Sequence, residues 1–152
     1  MRALPLAATL LAGLLCSSAW AAESPSPIGN WKTIDDNTGK PRGLVQIYEE
    51  AGEIKGKILK NYPKPGEPDN PVCDKCKGDR KDKPVIGMVF LWGMKKNGES
   101  WAGGEILDPD NGSVYSAKME VIEGGSKLKV RGFLGFSLLG RSQIWLRDTE
   151  AK

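Results

Sequence analysis

Hydrophobic and polar residues alternate with a period of two through most of the chain beyond residue 27, the spacing of half-buried β-strands. Between 43 and 50, Val45 and Ile47 share one face while Gln46 and Tyr48 share the other. Between 53 and 61, Ile54 and Ile58 oppose Lys55 and Lys57. The cleanest case is 113–122, where Tyr115, Ala117, Met119 and Val121 alternate with Ser116, Lys118 and Glu120. The segment 85–93 is nearly continuous apolar and reads as a strand buried on both faces. Runs at 30–35, 99–107, 127–134 and 141–148 complete eight predicted strands. No convincing 3.6-residue helical period is visible beyond the N-terminus.

The strands are separated by turn chemistry. Asp36-Asn37-Thr38-Gly39, Ala51-Gly52, Asp108-Pro109-Asp110-Asn111-Gly112 and Glu123-Gly124-Gly125 fall between apolar runs. Lys96-Asn97-Gly98 is a hairpin signal, because Asn-Gly accepts positive φ at low cost. Short strands joined in series predict an antiparallel meander. The expected fold is all-β: a small up-and-down barrel of eight strands, with an open sandwich as the alternative. Closure removes exposed edges and leaves room for one small ligand. Gly56, Gly103, Gly104 and Gly132 lie inside strands, where a small barrel needs its bends.

Two segments break this regularity. Residues 62–84 form a long loop carrying Pro63, Pro65, Pro68 and Pro71 ahead of Cys73-Asp74-Lys75-Cys76. Residues 133–139 are apolar and glycine-bearing where a polar turn would be expected. Such a surface contacts a membrane or a partner protein.

At the N-terminus, Met1-Arg2 precedes an apolar run over 4–15 and then Ala19-Trp20-Ala21. This predicts a secretory signal over 1–21, cleaved after Ala21. The run is shorter than the roughly 20 apolar residues that a membrane-spanning helix needs. Leu15 ahead of Cys16 is too bulky for lipoprotein processing. Residues 22–152 are then one domain of ordinary size, expected in the periplasm or outside the cell.

Composition narrows the chemistry. The net charge is +3, part of it from Arg2, and there is no histidine. No basic field of the kind that binds nucleic acid is present. The cations Lys75, Lys77, Arg80, Lys81 and Lys83 are interleaved with Asp74, Asp79 and Asp82. Without histidine there is no Ser–His–Asp or Cys–His site, no His-ligated zinc and no c-type haem attachment. No metal and no cofactor are expected, and the chain reads as a binding or structural module rather than an enzyme.

Cys73 and Cys76 are expected to form a loop-stapling disulfide in an oxidising compartment; a thioredoxin-like redox role would require a strand–helix context that the pattern lacks. Glu105 and Asp108 offer a carboxylate pair for hydrolysis, against which Asp108-Pro109-Asp110-Asn111-Gly112 is ordinary turn chemistry. For a small apolar or amphipathic ligand, the candidate lining is Tyr48, Trp101, Glu105, Tyr115, Arg131 and Phe133. Arg131 has a competing structural role as the ion-pair partner of Glu105 or another carboxylate. The second functional reading is a structural or interaction module with a side-chain-filled core.

Gly29-Asn30-Trp31 resembles the Gly-x-Trp signature of lipocalin-like barrels. In those barrels the tryptophan closes the base and an arginine near the last strand packs across its ring. Arg147 stands at the matching place, which implies a structural role for Trp31 and Arg147. The ordered set Gly29-x-Trp31-Lys32-Thr33, Asp36-x-Thr38-Gly39-Lys40, Cys73-x-x-Cys76 and Lys83-Pro-Val-Ile-Gly87 continues through the 101–112 block. Leu128-Lys-Val-Arg-Gly-Phe-Leu-Gly135 and Ser137-Leu-Leu-Gly-Arg-Ser-Gln-Ile-Trp-x-Arg147 complete it. Together these resemble the exported bacterial family labelled domain of unknown function 2147. The resemblance implies export and a compact β-rich domain, and it assigns no catalytic residue.

Overall fold

The computed structural model describes residues 25–136 and 139–150. The predicted signal segment 1–21 lies outside them, as do Ser137 and Leu138 of the apolar turn.

Eight antiparallel strands follow one another around a closed barrel: β1 (Gly29–Ile34), β2 (Pro41–Glu50), β3 (Glu53–Asn61), β4 (Val89–Asn97), β5 (Ser100–Asp108), β6 (Ser113–Ile122), β7 (Lys127–Phe133) and β8 (Gly140–Asp148). Each strand pairs with its neighbours in sequence, and β8 returns to β1 with Trp31 opposite Arg147. The barrel, not the sandwich, is the solution adopted. No helix among the described residues is long and apolar enough to cross a membrane.

The expected strand at 85–93 is displaced to Val89–Asn97. Pro84 and Gly87 account for the shift: Gly87 takes φ +89°, and a tight turn sends the Met88 N–H to the Val85 carbonyl. Val85 is buried as part of the preceding loop. Further on, Gly93 (φ +69°) and Gly103 (φ +78°) introduce irregularities on the paired strands β4 and β5. At the second of these the register jumps between Ala102 and Gly104, so one residue is left over. That bulge reverses the face on which every later β5 residue points.

One end of the barrel is plugged. Trp31 is fully buried, and its indole N–H donates to the Pro27 carbonyl at 2.8 Å. The Arg147 guanidinium lies 4.1 Å from the Trp31 ring centroid. Its three nitrogens donate to backbone carbonyls: Nε to Gly125 at 2.5 Å, Nη1 to Ile28 at 3.1 Å and Nη2 to Ser26 at 2.8 Å. One side chain thus ties the N-terminal lead-in, the β6–β7 turn and the closing strand. Gly29 is required beside it, because a Cβ there would lie 2.9 Å from Nη1 and φ is +136°. Above this plug, Ile47, Leu91, Met94, Trp101, Met119, Leu128 and Trp145 fill the lower half of the barrel. Phe90 meets Trp145 at 6.0 Å between ring centroids and caps that packed layer.

Replacing Arg147 with Met is expected to lower the unfolding free energy by about 3 kcal/mol. It removes three charge-assisted hydrogen bonds, to the carbonyls of Ser26, Ile28 and Gly125, and a cation–π contact on the buried Trp31 ring. Arg147→Lys should recover less than half, since an ammonium lacks the planar fork. Urea denaturation of the three proteins measures this.

Candidate ligand cavity

The upper half of the barrel is not filled. A cavity of about 1060 Å³ opens at the end opposite the Trp31 plug. Its wall includes Val45 of β2, Ile58 of β3, Phe90 of β4, Ile106 of β5, Tyr115 of β6 and Val130 of β7. Gly43 and Gly132 widen it by leaving no side chain where the alternation would place one. A Cβ at Gly132 would make ordinary contact with Ile106 Cγ2 at 3.4 Å and Tyr115 Cβ at 3.5 Å.

The polar groups in the wall are mostly committed to one another. Gln143 donates to Asp36 Oδ2 at 3.2 Å and accepts from the Trp145 indole at 3.1 Å. Thr33 Oγ1 donates to the Gly43 carbonyl at 3.4 Å. Tyr115 Oη accepts from Asn111 Nδ2 at 3.1 Å, which keeps the hydroxyl's own hydrogen available. An apolar guest therefore displaces no protein hydrogen bond from these walls.

The mouth is ringed by ion pairs. Lys64 Nζ meets Asp35 Oδ2 at 2.7 Å, Arg141 meets Asp36 at 3.2 Å, and Arg42 bridges Glu67 at 2.9 Å and Asp110 at 3.5 Å. The hydrogen bonds from Lys64 and from the Thr38 N–H hold the Asp35 carboxyl well below the usual carboxylate range. The Lys64 N–H and the Arg42 guanidinium likewise lower Glu67.

Across one side of the mouth lies the loop joining β3 to β4, which contributes Pro68, Pro71, Val72 and Val85 to the cavity. The Cys73–Cys76 disulfide staples it, and both cysteines are buried. The stapled turn sits on the β5–β6 turn, with Lys75 Nζ donating to the Asp110 carbonyl at 3.0 Å. Gly112 has no room for a Cβ, which would collide with the Lys75 carbonyl. On the outer wall, the Arg80 guanidinium lies 4.2 Å from the Trp92 ring centroid. The loop is thus a docked lid, held by the staple, the rim ion pairs and this stack.

Of the six residues expected to line a ligand site, the cavity contains Tyr115. Tyr48 points outward opposite Lys55, with Lys57 Nζ 5.9 Å from its ring centroid, because Val45 and Ile47 occupy the inward positions of β2. Trp101 is packed in the filled lower half, beside a depression of about 380 Å³ at the base. Glu105 faces out and accepts from the Trp92 indole at 3.0 Å, since the Gly103 bulge reverses its parity. Arg131 and Phe133 are also outward, because Leu128, Val130 and Gly132 take the inner face of β7; Arg131 Nη1 donates to Ser142 Oγ at 3.2 Å. Glu105 and Asp108 do not converge as an acid–base pair. Asp108 is occupied by the Asp110 N–H at 2.9 Å and by Asn111 Nδ2 at 3.1 Å. Among the described residues, no group of three or more His, Cys, Asp or Glu side chains is placed to hold a metal.

A closed eight-stranded meander, plugged at one end and hollow at the other, defines a lipocalin-like barrel, an architecture whose interior is either filled by side chains or open to one small ligand. The chain belongs to the family described as an uncharacterized protein conserved in bacteria (DUF2147), whose family model matches residues 29–147. Among solved structures it is similar to "Protein HP1028 from the human pathogen Helicobacter pylori belongs to the lipocalin family", at a TM-score of 0.70 and 17% identity. That match covers 83% of this chain and 85% of the other, and it shows the shared fold. No curated protein matches the sequence.

The lid ties carry a pH dependence whose sign follows from the lowered pKa values of Asp35 and Glu67. A carboxylate depressed in the folded state adds stability that is complete above its unfolded pKa of about 4. That contribution is lost as pH falls through the folded value. Lid resonances over 62–68, followed by NMR, should stay constant from about pH 7 to 4.5 and shift only below about 4. Asp35→Asn should loosen the same residues already at neutral pH.

Proposed function

We infer that this protein is exported, released from its N-terminal segment after Ala21, and carries one small apolar or amphipathic molecule in the upper cavity. The observation that carries this reading is the cavity itself. Its volume reaches the upper end of the range of small-molecule sites. Its depth is apolar, and the wall polar groups are mostly satisfied before any ligand arrives. A hydrocarbon body fits against Phe90, Val45 and Val130, and a polar end fits at the ring of ion pairs, near the free Tyr115 hydrogen. The disulfide and the signal-like N-terminus support a periplasmic or secreted setting.

The reading of a wholly side-chain-filled barrel accounts for the lower half, where Trp31, Trp101, Trp145 and Met119 leave no space. It does not account for the upper half, where glycines stand at Gly43 and Gly132 and the lid roofs an open volume.

Native mass spectrometry of protein recovered from its host tests the proposal. A one-to-one small-molecule adduct is expected. Gly132→Leu projects a side chain into the cavity from an unstrained strand position, and should lower adduct occupancy by about tenfold while the barrel stays folded. A clean unliganded mass, or an adduct unchanged by Gly132→Leu, would overturn the reading.

A further inference from the structure

The β5–β6 turn brings a donor and an acceptor together at the mouth of the cavity. Ile106 pairs with Tyr115 and Asp108 with Ser113, so Asp108 and Tyr115 stand on neighbouring strands close to the turn, and both line the cavity. Asn111 joins them: its Nδ2 donates to Asp108 Oδ2 and to Tyr115 Oη, each at 3.1 Å. The amide is held in that pose because its Oδ1 accepts from the Ser113 N–H at 2.8 Å. The turn is also braced from the lid side, where Gly112 lies against the Lys75 backbone too closely for any larger residue. The three side chains are therefore positioned before any guest arrives.

What the set leaves open is specific. The Tyr115 oxygen accepts from Asn111, so its hydrogen is free to be donated into the cavity. Asp108 accepts one hydrogen bond on each oxygen, from the Asp110 N–H and from Asn111, whereas a carboxylate has room for about four. No cation among the described residues forms an ion pair with Asp108. The other charges nearby are engaged: Arg42 with Glu67 and Asp110, and Lys75 with the Asp110 carbonyl. Lys64 and Arg141 pair with Asp35 and Asp36. Lys60, the lining cation without an ion pair, rises from β3, three strands round the barrel from β6.

A donor beside an acceptor matches a group that both accepts and donates. A hydroxyl accepts from Tyr115 and donates to Asp108. A carboxylate accepts from Tyr115 but offers Asp108 no hydrogen, and its charge stands against an unneutralised like charge. An ammonium offers hydrogens to Asp108 but none of its atoms accepts the Tyr115 hydrogen. We propose that Tyr115 and Asp108 are the head-group anchor of the cavity, and that its cargo is an uncharged, hydroxyl-bearing apolar molecule. This inference rests on the cargo reading and narrows it to one chemical class.

Isothermal titration of the protein, freed of any cargo, with decanol, decanoate and decylammonium tests it, because the three probes share one chain and differ in the head. Decanol is expected to bind most tightly, with decanoate about tenfold weaker. Tyr115→Phe should weaken decanol about fivefold by removing one hydrogen bond. Asp108→Asn, which keeps an oxygen for the Asp110 N–H, should narrow the gap between decanol and decanoate. Both variants should keep the wild-type melting midpoint. Suppose Gly132→Leu weakens all three probes, yet decanoate or decylammonium matches decanol, or decanol is indifferent to Tyr115→Phe. The anchor is then overturned while the cargo reading stands. Binding of none of the probes, or binding indifferent to Gly132→Leu, overturns the cargo reading and the anchor with it.

Discussion

The stacking of Arg147 on Trp31 joins the last strand to the first, and the rest of the molecule depends on that seam. A meander of eight strands has two free edges until β8 meets β1, and an unpaired edge invites association with other chains. Arg147 stands directly opposite Trp31 in the pairing, so the closing register and the base plug are one contact. Its three donors also draw residues 26–28 and the β6–β7 turn beneath the barrel. Burial pushes the guanidinium pKa down, yet an arginine is not deprotonated inside a protein and it stays charged. With this end sealed, access to the interior is left to the other.

The two halves of the barrel then have different physical jobs. Below, tryptophans and long aliphatic side chains fill the space to the density of a folded core. Above, glycines at Gly43 and Gly132 and short side chains at Val45 and Val130 stand among the wall residues, and the chain spends a long, proline-bearing loop on covering the opening. That loop has little regular structure of its own. It is held by a disulfide, by contact with a glycine that admits nothing larger, and by carboxylate–cation pairs to the rim. The proposed carrier function would use this division: the rigid base sets the register, while the lid is tethered by rim ion pairs that can be remade.

The fold was legible in the sequence because period-two alternation and turn chemistry act locally. Gly29 and Trp31 could be matched to Arg147 because Gly29-Asn30-Trp31 resembles the Gly-x-Trp signature of lipocalin-like barrels. The cavity was much less legible. Tyr48 and Phe133 carry the right chemistry but stand one residue out of phase with Val45 and Gly132. In a strand, one residue is the difference between cavity and solvent. At Glu105 the cause is sharper, because a single positive-φ glycine two residues earlier inverts the face. The lid residues Pro68, Pro71, Val72 and Val85 reach the cavity through long-range docking that local pattern does not encode. The alternation of Val45 with Gln46, followed strictly, was the available signal for the true wall.

The most direct test of a hollow upper half above a filled lower half is methyl NMR during titration with a small amphipathic probe, 1-anilinonaphthalene-8-sulfonate. The account predicts saturable shifts at Val45, Ile58 and Val130, with Ile54, Leu128 and Met119 unmoved. Shifts confined to the outer wall, or shifts in the lower core with the upper residues silent, would contradict it.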